Sequence, residues 1–195
     1  MGNSFSVISS IIKQRRSTKP ANFNGKVIPD NEIEQLLELA DWAPTHANTE
    51  PWRFIVYSGS AAVKQFCQVH AELYKANVLP ENFLQANYDK ILQNGDKASH
   101  IIVTIMQRGN LPKMPALEEV AAVAAATQNI LLGATALGIA SFWSTSGMTH
   151  HAAMKQYFQL REQDVIMGIL FLGYTDVVSI GKRIVPLSTK VKWEK

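Results

Sequence analysis

The spacing of apolar residues divides the chain into six helical stretches and four strands. Phe5, Ile8, Ile11 and Ile12 fall on one face of a first helix, with Ser4 at its N-cap. Asp30 caps a second helix, whose buried stripe is Ile33, Leu36, Leu37 and Ala40. Val63, Phe66, Cys67, His70 and Leu73 or Tyr74 mark a third over about Ser60 to Lys75. Phe83, Leu84, Tyr88 and Ile91 mark a fourth from Glu81 to Leu92. The longest opens at Pro115, Glu118 and Glu119, runs through VAAVAAATQNILLGATALG and is closed by Gly138. Apolar nearly all round and rich in alanine, it reads as buried on every side, and its small side chains permit close backbone approach. Thr149 caps a last short helix. The strands are Phe54 to Tyr57, His100 to Met106, Ile139 to Ser144 and Val165 to Leu172, β-branched and apolar enough for a buried sheet.

One connection is unlike the others. Between the second helix and the first strand lies APTHANTEPWRFIV, Ala43 to Val56. Pro44 stops the helix, and Pro51-Trp52 opens the strand. The span from Thr45 to Glu50 offers hydroxyls, an imidazole, an amide and a carboxylate, enough polar chemistry to hold a ligand or simply to make a tight connection. Arg15-Arg16-Ser17-Thr18-Lys19-Pro20 has a similar double meaning. Cations complement a helix C-terminus, and the same guanidinium forks with a hydroxyl and an ammonium would bind phosphate. Ser144-Thr145-Ser146-Gly147 is a small polar loop in which Gly147 allows backbone approach to a flat ligand. His70, on a helical face, reads as a core histidine. His150 and His151 are adjacent, point apart, and make a weak metal site.

Composition narrows the classes. A length of 195 residues suits a single domain, residues 1–195, and 47% apolar with 18% charged content is globular. A net charge of +3, without a continuous basic face, argues against nucleic acid binding. One cysteine, Cys67, forms no disulfide framework. No signal peptide is evident, which makes the cytoplasm the default. Met1-Gly2 with Ser6 fits a loose myristoylation pattern that carries little weight alone. A membrane span in the alanine-rich helix is disfavoured by Thr127-Gln128-Asn129 at its middle and by the lack of a second such segment. No glycine-rich dinucleotide turn, Walker loop, G-x-S-x-G elbow or H-E-x-x-H is present, which removes the doubly wound nucleotide folds and the common hydrolases.

Four segments, in order, carry a resemblance: R-R-S-T-K, A-P-T-H-x-N-x-E-P-W-R-F, the alanine helix with its G-I-A-S-F-W exit, and the closing L-G-Y…K-R-x-x-P-L…W. Together they resemble the nitroreductase family of FMN-dependent NAD(P)H oxidoreductases, in its short bacterial branch. The resemblance implies an α+β sandwich, with a mostly antiparallel central sheet wrapped by helices, in an intertwined homodimer with FMN sites at the subunit interface. By the same resemblance Arg15, Arg16 and Ser17 would hold the FMN phosphate and ribityl chain, joined by Arg183 and Lys182 from the tail. Lys19 would face the flavin pyrimidine edge. Pro44, Thr45 and His46, with Asn48 nearby, would contact the isoalloxazine from the other subunit, and Trp143, Ser144 and Thr145 would line its far side. Glu50 stands where the family usually has Gln, and so lacks an amide donor. The implied reaction takes electrons from NADH or NADPH through FMN to a nitroaromatic, quinone or similar small acceptor in ping-pong fashion, with no catalytic side chain required. A flavin-binding carrier or sensor, and a same-fold enzyme of dehalogenation or flavin breakdown, are the alternatives.

Overall fold

A computed structural model describes residues 3–195, so the Met1-Gly2 start of the acylation pattern lies outside the described residues. Four strands, β1 (Trp52–Ser58), β2 (His100–Met106), β3 (Ala140–Ser144) and β4 (Val165–Gly173), form one sheet in the order β1-β2-β4-β3. Every pairing within the sheet is antiparallel, as the family resemblance implies. The two central strands are the most apolar ones, and every residue of β2 is buried. Alternation along β2 sends Ile102 and Met106 to one face and Ile101, Val103 and Ile105 to the other. Both faces are covered, so β2 reads as a continuous apolar run rather than an alternating one.

The first face packs on α2 (Asp30–Asp41) and α5 (Ala116–Ala136), through Ile33, Leu36, Ala126 and Ile130. The second packs on α3 (Gly59–Asn77), α4 (Gln85–Gln93) and α6 (Ala152–Tyr157), through Phe66, Ala71, Ile91 and Met154. Each fully buried Ile, Leu or Phe contributes about 1.5–3 kcal/mol. The two faces therefore supply the bulk of the fold's stability.

A bulge interrupts the β2–β4 ladder. Thr104 pairs with Gly168 and Ile105 with Ile166, leaving Met167 unopposed. Its carbonyl accepts the indole N–H of Trp143 at 3.0 Å. A Cβ on Gly168 would stand 2.0 Å from Trp143 Nε1, so only glycine admits the indole there.

Several helix starts differ from the sequence expectation. Asn3, not Ser4, caps α1 (Ser4–Gln14) by accepting from Phe5 N. Pro29 occupies the cap of α2, while Asp30 accepts from Ser58 Oγ at 2.7 Å and pairs with His100 Nε2 at 2.9 Å. Thr149 donates to Ser146 O, and His151 caps α6 instead. Phe83 and Leu84 fall ahead of α4, which begins at Gln85, because Pro80–Asn82 forms a separate single turn. The longest helix is α5, but it is not buried on every side: Leu117 is 75% exposed and Ala121 is open beside it. No residue of α1 is buried. None of the described helices is long and apolar enough to cross a membrane.

Candidate functional site

After α1 the chain straightens. Ser17 forms a parallel bridge with Ser141 of β3, and Thr18 N donates to Ser141 O at 2.9 Å. Residues 15–19 thus run along the outer edge of β3, and an extended chain alternates its side chains. Arg16 and buried Thr18 turn one way, into a cleft shared with Gln14, Gly138 and Ser179. Lys19 turns the other way, into a pocket of about 100 Å³ with Phe142, Ser146, Lys90 and Asn94. The same alternation aligns Arg15 and Ser17 with Lys19 and separates them from Arg16.

Arg16 is tied locally, its guanidinium donating to Lys13 O at 2.6 Å and Arg15 O at 2.7 Å. Its Nε is buried without a hydrogen-bond partner among the described residues. The tail crosses directly over it: a Cβ on Gly181 would lie 2.2 Å from Arg16 Nη2. Lys182 and Arg183 follow at once. Hence the two cationic segments, far apart in sequence, meet in the fold. Among the described residues none of Arg15, Arg16, Lys19, Lys182 and Arg183 has an acidic ion-pair partner.

The Pro44 loop is built differently. Thr45 and Thr49 share a hydroxyl hydrogen bond of 2.9 Å, and Glu50 N donates to Thr45 Oγ1 at 3.2 Å. Between them His46–Asn48 makes one tight turn. Ala47, Asn48 and Glu50 all have left-handed φ, at 50°, 51° and 41°. Such backbone costs on the order of 1 kcal/mol per non-glycine residue and clusters at functional sites. The turn holds His46 against the start of α5, where its Nδ1 hydrogen-bonds Glu118 Oε2. Pro44, Thr45, His46, Glu118, Ala121 and Ala122 line an open pocket of about 310 Å³. Glu50 belongs to a separate cleft with Glu38, Asp41 and Arg53.

The next residue of α5 anchors a second loop. Glu119, 1% exposed, takes the Arg108 guanidinium on one oxygen and Gly109 N on the other, at 3.0 Å for the latter. Arg108 N and the Arg161 guanidinium both donate to Asp164, at 2.9 Å and 2.8 Å to Oδ1. Burial alone would raise the Asp164 carboxyl, but these donors outweigh it and hold it below the usual range.

On the other side of the sheet, Ser144 and Ser146 share a hydrogen bond of 2.9 Å and Thr145 is exposed. Gly147 is needed for a protein neighbour: φ is +66°, and a Cβ would meet His70 Nε2 at 2.6 Å. His70 is the core histidine its position suggested. Its Nε2 accepts from Met148 N at 2.9 Å, and burial pushes its pKa down to about 4. Trp143 faces the α2–α5 side of the sheet, opposite Phe142. Phe142, Lys90 and Asn94 beside Lys19 were not among the sequence candidates, and neither was Glu118. Glu118 read as an ordinary helix-opening acid, and Phe142 as one of several strand apolars.

Within one chain the candidates therefore fall into three groups. Arg16, Lys182 and Arg183 meet at the tail crossing, while Arg15 and Ser17 lie on the Lys19 side of the extended segment. Lys19 shares a pocket with Phe142 and Ser146 of the β3 exit, near Ser144. Pro44, Thr45 and His46 line the separate pocket at α5, with Asn48 in the same tight turn. The sequence profile of the nitroreductase family matches residues 12–174. The chain belongs to the nitroreductase family. YfhC of Bacillus subtilis, which carries the provisional name NAD(P)H nitroreductase, is 28% identical over 184 residues, covering 93% of this chain and 91% of its own. A nitroreductase-like family protein from Bacillus cereus superposes with a TM-score of 0.80 at 25% identity, over 100% of both chains. A nitroreductase from Desulfovibrio desulfuricans, solved in complex with FMN, gives a TM-score of 0.74 at 21% identity over 100% of this chain and 99% of that one. In this nitroreductase-family chain the matched span runs from α1 through β4 and stops just before the tail that meets Arg16.

Proposed function

We propose that this nitroreductase-family protein is an FMN-dependent oxidoreductase, taking electrons from NADH or NADPH and passing them to a small acceptor such as a quinone or nitroaromatic. The observation that carries the reading is the tail crossing. It brings Lys182 and Arg183 to Arg16, and none of the three has an acidic ion-pair partner among the described residues, a donor set suited to a phosphate monoester. The complex of the Desulfovibrio desulfuricans relative with FMN supports the same cofactor here.

Bound FMN would supply the redox chemistry, accepting a hydride equivalent from reduced nicotinamide and releasing two electrons to the acceptor. The side chains position it. Arg15 and Ser17 from one side of the extended segment, and Arg16 with Lys182 and Arg183 at the tail crossing, would hold the phosphate and ribityl chain. Lys19 would place positive charge at the pyrimidine edge, where it would stabilise negative charge gained on reduction. Pro44, Thr45, His46 and Asn48 would approach the ring from the other subunit, and Ser144 and Thr145 would border the site from the β3 exit, with the Trp143 indole behind them on the α2–α5 face of the sheet. Were nicotinamide and acceptor to use the same pocket in turn, the kinetics would be ping-pong.

Two uncovered apolar surfaces support the homodimer. The face of α1 with Ile8 and Ile11, the half-buried Leu132 of α5 and exposed Leu39 and Trp42 line a groove of about 330 Å³. Val178, Ile180, Ile184 and Trp193 of the tail are each at least 80% exposed. A second copy would cover both.

The test is the visible spectrum of the purified protein before and after anaerobic NADH or NADPH. A flavin band that bleaches, and returns with a quinone or nitroaromatic, is expected. Flavin that binds without bleaching would leave a carrier or sensor, and failure to bind FMN at all would remove the proposal.

A further inference from the structure

We propose that His46, oriented by Glu118, is the proton donor to the acceptor when electrons leave the cofactor. The inference rests on the oxidoreductase reading and adds to it a side chain with a chemical step.

Reduction of a quinone requires two electrons and two protons. One proton travels with the hydride equivalent from the reduced cofactor; the second has to reach the other quinone oxygen. The Pro44 loop, which the proposed function sets against the flavin from the other subunit, holds a group able to deliver it. A carboxylate oxygen only accepts, so the Nδ1 atom of His46 carries the hydrogen in its bond to Glu118 Oε2. In the neutral ring this leaves Nε2 as the free site of proton uptake and release. His46 and Glu118 both line the open pocket with Pro44, Thr45, Ala121 and Ala122, whose small side chains leave the imidazole accessible.

The surroundings hold this geometry deliberately. The left-handed backbone at Ala47 and Asn48 and the Thr45–Thr49 hydroxyl pair set the turn that presents His46. On the other side, Glu119 is fully engaged by Arg108 and Gly109 N. It fixes the first turn of α5, and Glu118 projects from that turn. A solvent-exposed ion pair adds little to stability, so a strained loop that holds one serves orientation better than it serves folding.

The step balances simply. The Nε2–H bond of the protonated imidazole breaks and an O–H bond forms on the acceptor, which has already received two electrons and one proton. Quinone becomes hydroquinone. His46 is left neutral, still donating through Nδ1 to Glu118, and recovers a proton from solvent before the next turnover. A nitro group uses the same proton: with the hydride equivalent it becomes an N,N-dihydroxy species, which loses water to give the nitroso product.

The experiment compares two oxidants of the pre-reduced holoenzyme in stopped flow. A quinone needs the proton; ferricyanide accepts electrons alone. General acids contribute about 10²–10⁴-fold. In His46→Ala the ratio of quinone rate to ferricyanide rate should therefore fall by at least about tenfold, and added imidazole should restore part of it. Glu118→Gln should lower the same ratio to a lesser extent. A second measurement needs no turnover: ¹⁵N NMR of the neutral imidazole should show His46 protonated at Nδ1, shifting toward the Nε2–H form in Glu118→Ala. An unchanged ratio in a His46→Ala protein that binds FMN and is bleached by NADH overturns the proton-donor role alone. So does an Nε2–H tautomer in the wild type. Absence of flavin binding or bleaching in the wild type overturns the oxidoreductase reading and this inference with it.

Discussion

Gly168 admits no other residue, because the Trp143 indole occupies the space of its missing Cβ and donates to the Met167 carbonyl. Gly168→Ala is expected to cost about 1–3 kcal/mol, as overpacking usually does. Differential scanning calorimetry should show a fall of several degrees in Tm, and the Trp143 fluorescence should shift. His70 gives a residue-level prediction in pH. Its native pKa, near 4, lies below the unfolded value of 6.5. Between those values the unfolded chain binds more protons, so stability is complete above about pH 6.5 and declines as pH falls toward 4. The loss is on the order of 3 kcal/mol. Urea midpoints across this range should fall in the wild type and run flatter in His70→Gln, which keeps an acceptor for Met148 N. Removing Arg15 and Arg16 together should weaken FMN binding by about 10²-fold or more, given roughly 1.5–3 kcal/mol for each charge-assisted contact. Flavin retained through gel filtration by the double variant would refute the phosphate assignment.

At the scale of elements, Glu118 and Glu119 make the first turn of α5 the anchor of two loops, one through His46 and one through Arg108 and Gly109. Glu119→Ala would leave the partly buried Arg108 uncompensated, and breaking such a pair costs about 3–5 kcal/mol. Equilibrium denaturation should register it, and protease should cut the 107–114 loop faster. The strands were legible in the sequence to within two residues because β-branched apolar runs in a doubly covered sheet have no other use. The helix caps were not. Asp30 and Thr149 look like caps in one dimension, but Asp30 is drawn to Ser58 and His100 across the sheet end, and Thr149 to Ser146 O. Local preference lost to tertiary partners. For the candidate site, the family motifs singled out residues from sequence alone, whereas Lys90, Phe142 and Glu118 carried no such signal. Their roles depend on which pocket each lines, and nothing in their spacing encodes that.

For the whole molecule, the exposed faces of α1, α5 and the tail mean that a single chain leaves apolar surface unsatisfied. Sedimentation equilibrium should find a dimer. Ile8, 43% exposed in one chain, can take a charge without disturbing the monomer core. Ile8→Asp is expected to weaken association by about 100-fold or more, from roughly 2 kcal/mol of lost burial plus a buried charge. Flavin content should fall with it if both subunits build each site. A stable dimer with full flavin content would place the interface elsewhere.

The bridge between Ser17 and Ser141 has a consequence separate from any ligand. An antiparallel sheet of four strands has two open margins, and β3 forms one of them. Residues 15–19 lie along that margin and occupy hydrogen-bonding positions another chain could take. Their charges also repel a second sheet. Cut before Lys19, the chain would keep its core yet present β3 bare, and filaments or turbidity growing with concentration should follow.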